Sequence, residues 1–377
     1  MMAPKRVKAD ILKQGTRIEA LDIFRGLTMA GMILVNDPGI ASHVYAPLEH
    51  TVWNGITPAD FIFPSFIFIV GVSVVLSCSA QLQKGISKKI IFKKNCKRAA
   101  ILFSIGLLLS IVPTFNLSLF RVCGVLQRIS IVFFFCALLY LFTTLSFQIK
   151  LAVSILAGYF LLMTLVPVPG YGYAILEPGK NLAAWLDAIV IPGRMYQGSW
   201  DPEGILSTFP AIVSGITGML AGHLLLSNKI AERKVIWLFF GGFISFVVAN
   251  TWNYFFPINK NLWTSSFVLF MTGLDCMVLA CLYFLIDVCG INKWGTIALV
   301  FGSNAIAAYL ISEFFYDIIY FKVGGLHGTS LNDIIINAVL PTGLSPNLIS
   351  LIWAVLYCGL CFIPIYLLYK NKIFLKI

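Results

Sequence analysis

His50 stands three residues before Trp53-Asn54-Gly55 and ten before Asp60. Histidine is the side chain best able to move a proton near neutral pH. A base beside hydrogen-bond donors and an orienting carboxylate has the make-up of a general acid–base site. The other three histidines read differently: His43 shares the segment with His50, His223 reads as solvated or helix-capping, and His327 as exposed in a glycine-rich stretch. Asp22 and Arg25 are three apart, on one helical face, where they can pair with each other. Arg128, Asp275, Glu313 and Asp317 also fall within apolar runs, where an ionisable group is expensive and marks a functional candidate. Asp275 reads as hydrogen-bonded inside the bundle, and Asp287 as solvated. The chain carries no phosphate-loop sequence, no H-E-x-x-H, no G-x-S-x-G and no zinc-type histidine–cysteine cluster, so no metal is expected.

The elements that must position these residues are membrane spans. Of 377 residues, 59% are hydrophobic and 11% are charged, against roughly 25% charged in an average soluble domain. Such a chain cannot coat a soluble surface, which excludes a soluble enzyme, a nucleic-acid binder and a secreted disulfide scaffold. Apolar runs of about 20 residues, the length a spanning helix needs, occur at 18–36, 58–80, 99–116, 122–146, 150–167, 204–226, 235–256, 263–287, 295–320 and 347–369. With the N-terminus in the cytoplasm, 20 of the 27 lysines and arginines fall on inside segments and five on outside loops. That asymmetry orients the chain with both ends inside, and the net charge of +11 needs no nucleic-acid partner. The expected architecture is an all-α polytopic membrane protein of about ten transmembrane helices. It has a basic cytoplasmic tail at 1–17, one domain over 18–369 and a second tail at 370–377. Met1 to Arg17 lacks the apolar core of a signal peptide. A short helix is predicted near Asn181 to Ile189, and an amphipathic one around Leu331 to Leu340. Gly218 and Gly222 form a G-x-x-x-G that close helix packing explains. The nine cysteines read as small hydrophobes.

Several stretches resemble the heparan-α-glucosaminide N-acetyltransferase family. They are Leu21-Asp22-Ile23-Phe24-Arg25-Gly26, Val35-Asn36, the segment from His50 through Trp53-Asn54-Gly55 to Asp60 and Pro64, and Arg121 to Arg128. Asp201-Pro202-Glu203-Gly204 and Asn259 to Ser266 complete the set, all in family order. The resemblance implies a transmembrane acyltransferase fold and an enzyme that takes acetyl-CoA from the cytoplasm and acetylates an amino sugar or oligosaccharide across the membrane. It implies that His50 is the active-site histidine, with Asn36 and Asp60 beside it. Trp53, Asn54, Asp201, Glu203, Lys260 and Trp263 become acceptor candidates on the same grounds, with Asp22, Arg25, Gln127 and Arg128 as donor contacts. The cations from Lys84 to Arg98, Lys97 and Arg98 among them, suit the donor's phosphates or serve topology alone. The segment between Asn36 and His50 is longer than the family pattern. No counterpart of the large N-terminal luminal domain of the animal enzymes is expected, and with it no restriction of the acceptor to heparan sulfate. A homodimer, contact with membrane lipid and a bacterial inner-membrane location complete the expectation.

Two routes fit these residues. In direct transfer His50 deprotonates the acceptor, Asn36 or Asn54 holds the developing oxyanion, and Asp60 orients His50. In the other, His50 itself carries the acetyl group. Trp53, Tyr171, Tyr173, Trp185, Tyr196 and Trp200 can stack on sugars or anchor at the membrane interface. A secondary transporter or lipid-linked sugar carrier also accommodates intramembrane charges, without any acyl transfer.

Overall fold

The computed structural model describes residues 18–111, 120–322 and 328–375, so His327 and the tail at 1–17 lie outside the described residues. Every predicted apolar run overlaps a helix, with 112–116 of the third run outside the described residues. In chain order these are α1 (Glu19–Asn36), α2 (Ile62–Gln83), α3 (Lys88–Ile111), α4 (Val125–Phe142), α5 (Leu145–Leu165), α7 (Ile205–Leu226), α8 (Ala231–Trp252), α9 (Ser265–Leu282), the pair α10 (Thr296–Ser303) and α11 (Ala305–Tyr320), and α13 (Pro346–Lys370). The two short helices are present as α6 (Leu182–Val190), with Asn181 accepting from the Ala184 amide at 2.9 Å, and α12 (Leu331–Val339), capped by Ser330. The chain is an all-helical, multi-pass membrane protein.

Among the described residues seven helices are long and apolar enough to cross a membrane, or eight if the bent pair α10–α11 makes one span. Two predicted spans are not among them: α1, and α3, whose predicted run at 99–116 is described only as far as Ile111. α1 carries Glu19, Asp22 and Arg25, and α3 begins eleven residues before its apolar stretch, taking in the cations from Lys88 to Arg98. The ninth run is broken rather than straight: α10 and α11 meet at 73° about Asn304. That side chain leaves the helix ladder to serve the C-terminal strap, donating to Ile373 O at 3.0 Å and accepting from Leu375 N at 3.0 Å.

The described residues group into two compact units that interleave along the chain. The first comprises 18–21, 53–55 and 67–293. Within it α2 and α7 pack backbone to backbone. A Cβ on Gly71 would stand 1.9 Å from the Gly215 carbonyl oxygen, and one on Gly218 2.0 Å from that of Phe68. Asp287, expected in solvent, instead caps the start of α1: its carboxylate accepts from the Glu19 and Ala20 amides at 3.1 and 3.0 Å. The second unit comprises 22–52, 56–66 and the described residues from Trp294 onward. Its core joins Met29 and Ile33 of α1 to Phe301, Ala308 and Cys361.

Candidate functional site

Thr57-Pro58-Ala59-Asp60 is a helix start written in sequence. Thr57 is the N-cap, Pro58 needs no amide partner at the first position, and Asp60 reaches back as the third residue of a capping box. One 3₁₀ turn then leads into α2. The turn fixes Asp60, which is 1% exposed. Its Oδ2 accepts from the Thr57 and Thr51 amides, each at 3.1 Å, and lies 3.1 Å from the Thr57 hydroxyl. Its Oδ1 lies 2.8 Å from His50 Nδ1, while the His50 side chain remains 47% exposed. This is a histidine–carboxylate pair with the carboxylate buried and held from behind. Donation of Nδ1–H to Asp60 leaves Nε2, on the far edge of the ring, with the lone pair that accepts a proton. The pairing inferred from spacing is therefore present in the structure.

In the same unit, Asn36 closes α1 and is exposed. Its neighbour Asp37 is buried, and desolvation followed by the charge of Glu313 pushes its pKa up to about 8. Asp22 and Arg25 form the ion pair their spacing predicts, and Arg25 Nε also donates to Gly302 O at 2.8 Å. Arg25 is thus tied into the junction of α1 and α10, where a Cβ on Gly26 would stand 1.6 Å from the Ala298 carbonyl oxygen.

The first unit gathers the remaining candidates. Trp53 Nε1 donates to Leu176 O at 2.8 Å, and its ring meets Trp200 edge-on at 5.0 Å. Asn54 Oδ1 accepts from Asn259 Nδ2 at 3.0 Å, and Gly55, at a φ of 96°, donates to Ile258 O at 2.9 Å. That φ suits glycine because no Cβ is present to clash. Asp201 and Glu203 both face Arg121, whose Nε and Nη2 bind the two Asp201 oxygens at 2.8 and 2.7 Å while Nη2 also reaches Glu203. Burial alone would raise the Asp201 pKa, but the Arg121 hydrogen bonds and charge outweigh it and hold the carboxyl below its ordinary range. Both carboxylates are therefore engaged by protein. Trp263, an acceptor candidate, is 1% exposed with its Nε1 donating to Ser214 Oγ at 3.1 Å. Its φ of 52° is uncommon for a bulky residue. Lys260 stands three residues earlier and is partly exposed. Gln127 is buried and packs against Gly106 and Gly124. Arg98 lies over the Phe133 ring at 5.1 Å, and Lys97 is exposed.

One site residue escaped the sequence reading. Asp187, on α6, is 1% exposed, and its Oδ1 accepts from the Ile205 amide at the start of α7 at 2.9 Å. Burial, assisted by Asp201, pushes its pKa up to about 6. Among the described residues no group of three or more histidines, cysteines or carboxylates is arranged to hold a metal.

Residues 17–195 match the family model described as heparan-alpha-glucosaminide N-acetyltransferase, catalytic. Heparan-alpha-glucosaminide N-acetyltransferase of Homo sapiens is 30% identical over 419 residues, covering 96% of this chain and 60% of that protein. The Mus musculus protein of the same name matches with the same identity and coverage. The chain spans about three fifths of the length of these curated relatives. His50, Asp60, Asn36 and Arg128 all fall within the matched region.

Proposed function

We propose that this chain, which matches the heparan-alpha-glucosaminide N-acetyltransferase catalytic model over residues 17–195 and is 30% identical to the curated relatives of that name, is a membrane-embedded acyltransferase. It moves an acetyl group from acetyl-CoA to an amino sugar or glycan acceptor, with His50 as general base. The observation that carries this reading is the His50–Asp60 pair, 2.8 Å apart, exposed on the histidine side and buried on the carboxylate side. His50 Nε2 takes a proton from the acceptor's ammonium. The freed amine attacks the thioester carbonyl carbon, the C–N bond forms, and the C–S bond breaks. The departing CoA thiolate takes the proton back from the imidazolium, which Asp60 stabilises meanwhile. The nitrogen's second surplus proton passes to solvent, so each turnover releases one proton. Asn36, in the same unit as His50, is the candidate donor to the oxyanion, where losing one hydrogen bond costs ~2.7–4 kcal/mol of barrier. The distribution of lysine and arginine supports cytoplasmic ends and a donor drawn from the cytoplasm. On this reading the acceptor is periplasmic and the membrane is a bacterial inner membrane.

The test is thiol release from acetyl-CoA by detergent-purified protein, with a panel of amino sugars, for wild type and His50→Ala. Amine-dependent release in wild type that vanishes in the variant is the expected result. Wild type that neither binds acetyl-CoA nor releases thiol with any acceptor overturns the reading and favours a carrier.

A further inference from the structure

Arg128, in the first turn of α4, is 1% exposed. One guanidinium nitrogen, Nη2, donates to the Gly204 carbonyl at 3.1 Å and to Ser207 Oγ. The guanidinium lies over the Trp263 ring, 5.0 Å from its centre. The other two nitrogens, Nε and Nη1, have no hydrogen-bond partner among the described residues. None of the ion pairs among the described residues includes Arg128. A buried cation with unmet donors is costly to maintain. The surroundings add to its positive potential, because α4, α7 and α9 all begin here: at Val125, at Ile205 after Gly204, and at Ser265 two residues after Trp263.

Two features define what such a group can receive. First, Asp201 and Glu203 act electrostatically on Arg128 while bound to Arg121. A dianionic phosphate would meet these carboxylates, whereas a neutral carbonyl oxygen accepts N–H bonds without adding charge. Second, α3 and α4 run antiparallel. Gly106 of α3 meets Gln127, the Ala99 carbonyl accepts from Ser130 at 2.6 Å, and Phe92 touches Phe134 and Phe142 at 5.8 and 5.3 Å between ring centres. The basic start of α3 therefore lies toward the far end of α4 from Arg128. Fourteen residues of helix separate Arg128 from Phe142, about 21 Å at the standard rise. A pantetheine arm reaches roughly 15–20 Å by ordinary bond lengths.

We propose that Arg128 binds an amide or thioester carbonyl of an acyl-CoA arm whose phosphates meet the lysines at the start of α3. The proposal rests on the acetyl-CoA reading above. It assigns Arg128 to the arm rather than to the phosphates and makes it the group that fixes how far the donor extends along the first unit. Trp263 and Ser207 hold the guanidinium in place, and the carbonyl completes its donor set.

Calorimetric binding of three probes to the purified full chain separates the roles. Acetyl-CoA carries arm and phosphates, S-acetylpantetheine the arm alone, and 3′,5′-ADP the phosphates alone. Arg128→Met is expected to weaken acetyl-CoA and S-acetylpantetheine by about tenfold or more, the loss typical of a hydrogen bond to a charged group, and to leave 3′,5′-ADP unchanged. Arg128→Lys, which keeps the charge with different donors, is expected to fall between and also answers for a Met variant that fails to fold. Unchanged arm binding in Arg128→Lys, or a loss confined to 3′,5′-ADP, overturns the proposal. If wild type turns over acetyl-CoA while Arg128→Met binds every probe normally, this inference alone fails. If wild type neither binds nor consumes acetyl-CoA, the donor reading fails and takes this one with it.

Discussion

A histidine acts as a base only when its protonated ring is stabilised and its accepting nitrogen points the right way. In the proposed mechanism Asp60 does both for His50, through one buried carboxylate with three further hydrogen-bond contacts behind it. Asp60→Asn keeps the shape but removes the charge and can present an N–H where the ring needs an acceptor. The acetyl-transfer kcat should fall on the order of 10²-fold with little change in KM for acetyl-CoA, measured by steady-state thiol release. An unchanged kcat would leave the pair without a catalytic role. Asp187 gives a second residue-scale expectation, this time in stability. Its carboxyl ordinarily titrates at 3.8, and in the fold at about 6. The folded state therefore holds the proton to higher pH. The group's contribution is full below about pH 4 and is lost as pH rises through 6, an effect on the order of 2 kcal/mol. Asp187→Asn still accepts from the Ile205 amide but does not titrate, so melting temperatures of variant and wild type should diverge between pH 4 and 7. Parallel curves would refute the assignment. Asp60 was legible in sequence because it stands ten residues from His50 in one short segment. Asp187 was not, because its burial comes from Gly204 and Ile205, which lie about seventeen residues along the chain.

Helices were legible wherever an apolar run is set by composition, and their ends were not wherever a distant partner decides them. α3 starts early because lysine-rich sequence is still good helix former, which a search for apolar runs passes over. The break at Asn304 depends on amide and carbonyl groups of Ile373 and Leu375, seventy residues away. Asp287 was read as solvated because nothing near it in sequence announces the amides of Glu19 and Ala20. Close approach of helices, by contrast, was visible at Gly218 and Gly222, and the structure adds Gly71 on the facing helix. At Gly71 an added methyl would stand 1.9 Å from the Gly215 carbonyl oxygen, so α2 and α7 must separate to admit it. Gly241 of α8 has nothing within 4 Å of the same position. Gly71→Ala should destabilise by about 1–3 kcal/mol, as overpacking does. Gly241→Ala should be neutral or slightly stabilising through helix propensity. Thermal unfolding in detergent reads both, and equal shifts would mean the α2–α7 contact is looser than the structure has it.

At the scale of the whole molecule one crossing to be decided is that of α3. Its 24 residues span about 36 Å at the helical rise, enough to cross a ~30 Å hydrocarbon core, yet its first half is basic. Two arrangements follow from physics. If the cations sit at the membrane surface and the apolar half spans, α3 is a crossing, and three crossings separate Lys89 from Tyr173: α3, α4 and α5. If the helix lies along the surface, only α4 and α5 intervene. Arg98 lies over the Phe133 ring, and Ser130 donates to the Ala99 carbonyl at 2.6 Å. Both contacts bind α3 along the length of α4, a spanning helix, so the crossing arrangement is the one expected. Lys89 and Tyr173 are both exposed, and single cysteines at these positions in a cysteine-free background distinguish the two. Tyr173→Cys should react with a membrane-impermeant maleimide in intact cells, and Lys89→Cys only after the membrane is opened. Labelling of both from one side would remove α3 from the membrane. The lysines at its start would then lie on the same side as the loop between α5 and α7, and the charge asymmetry that orients the chain would lose its largest cluster.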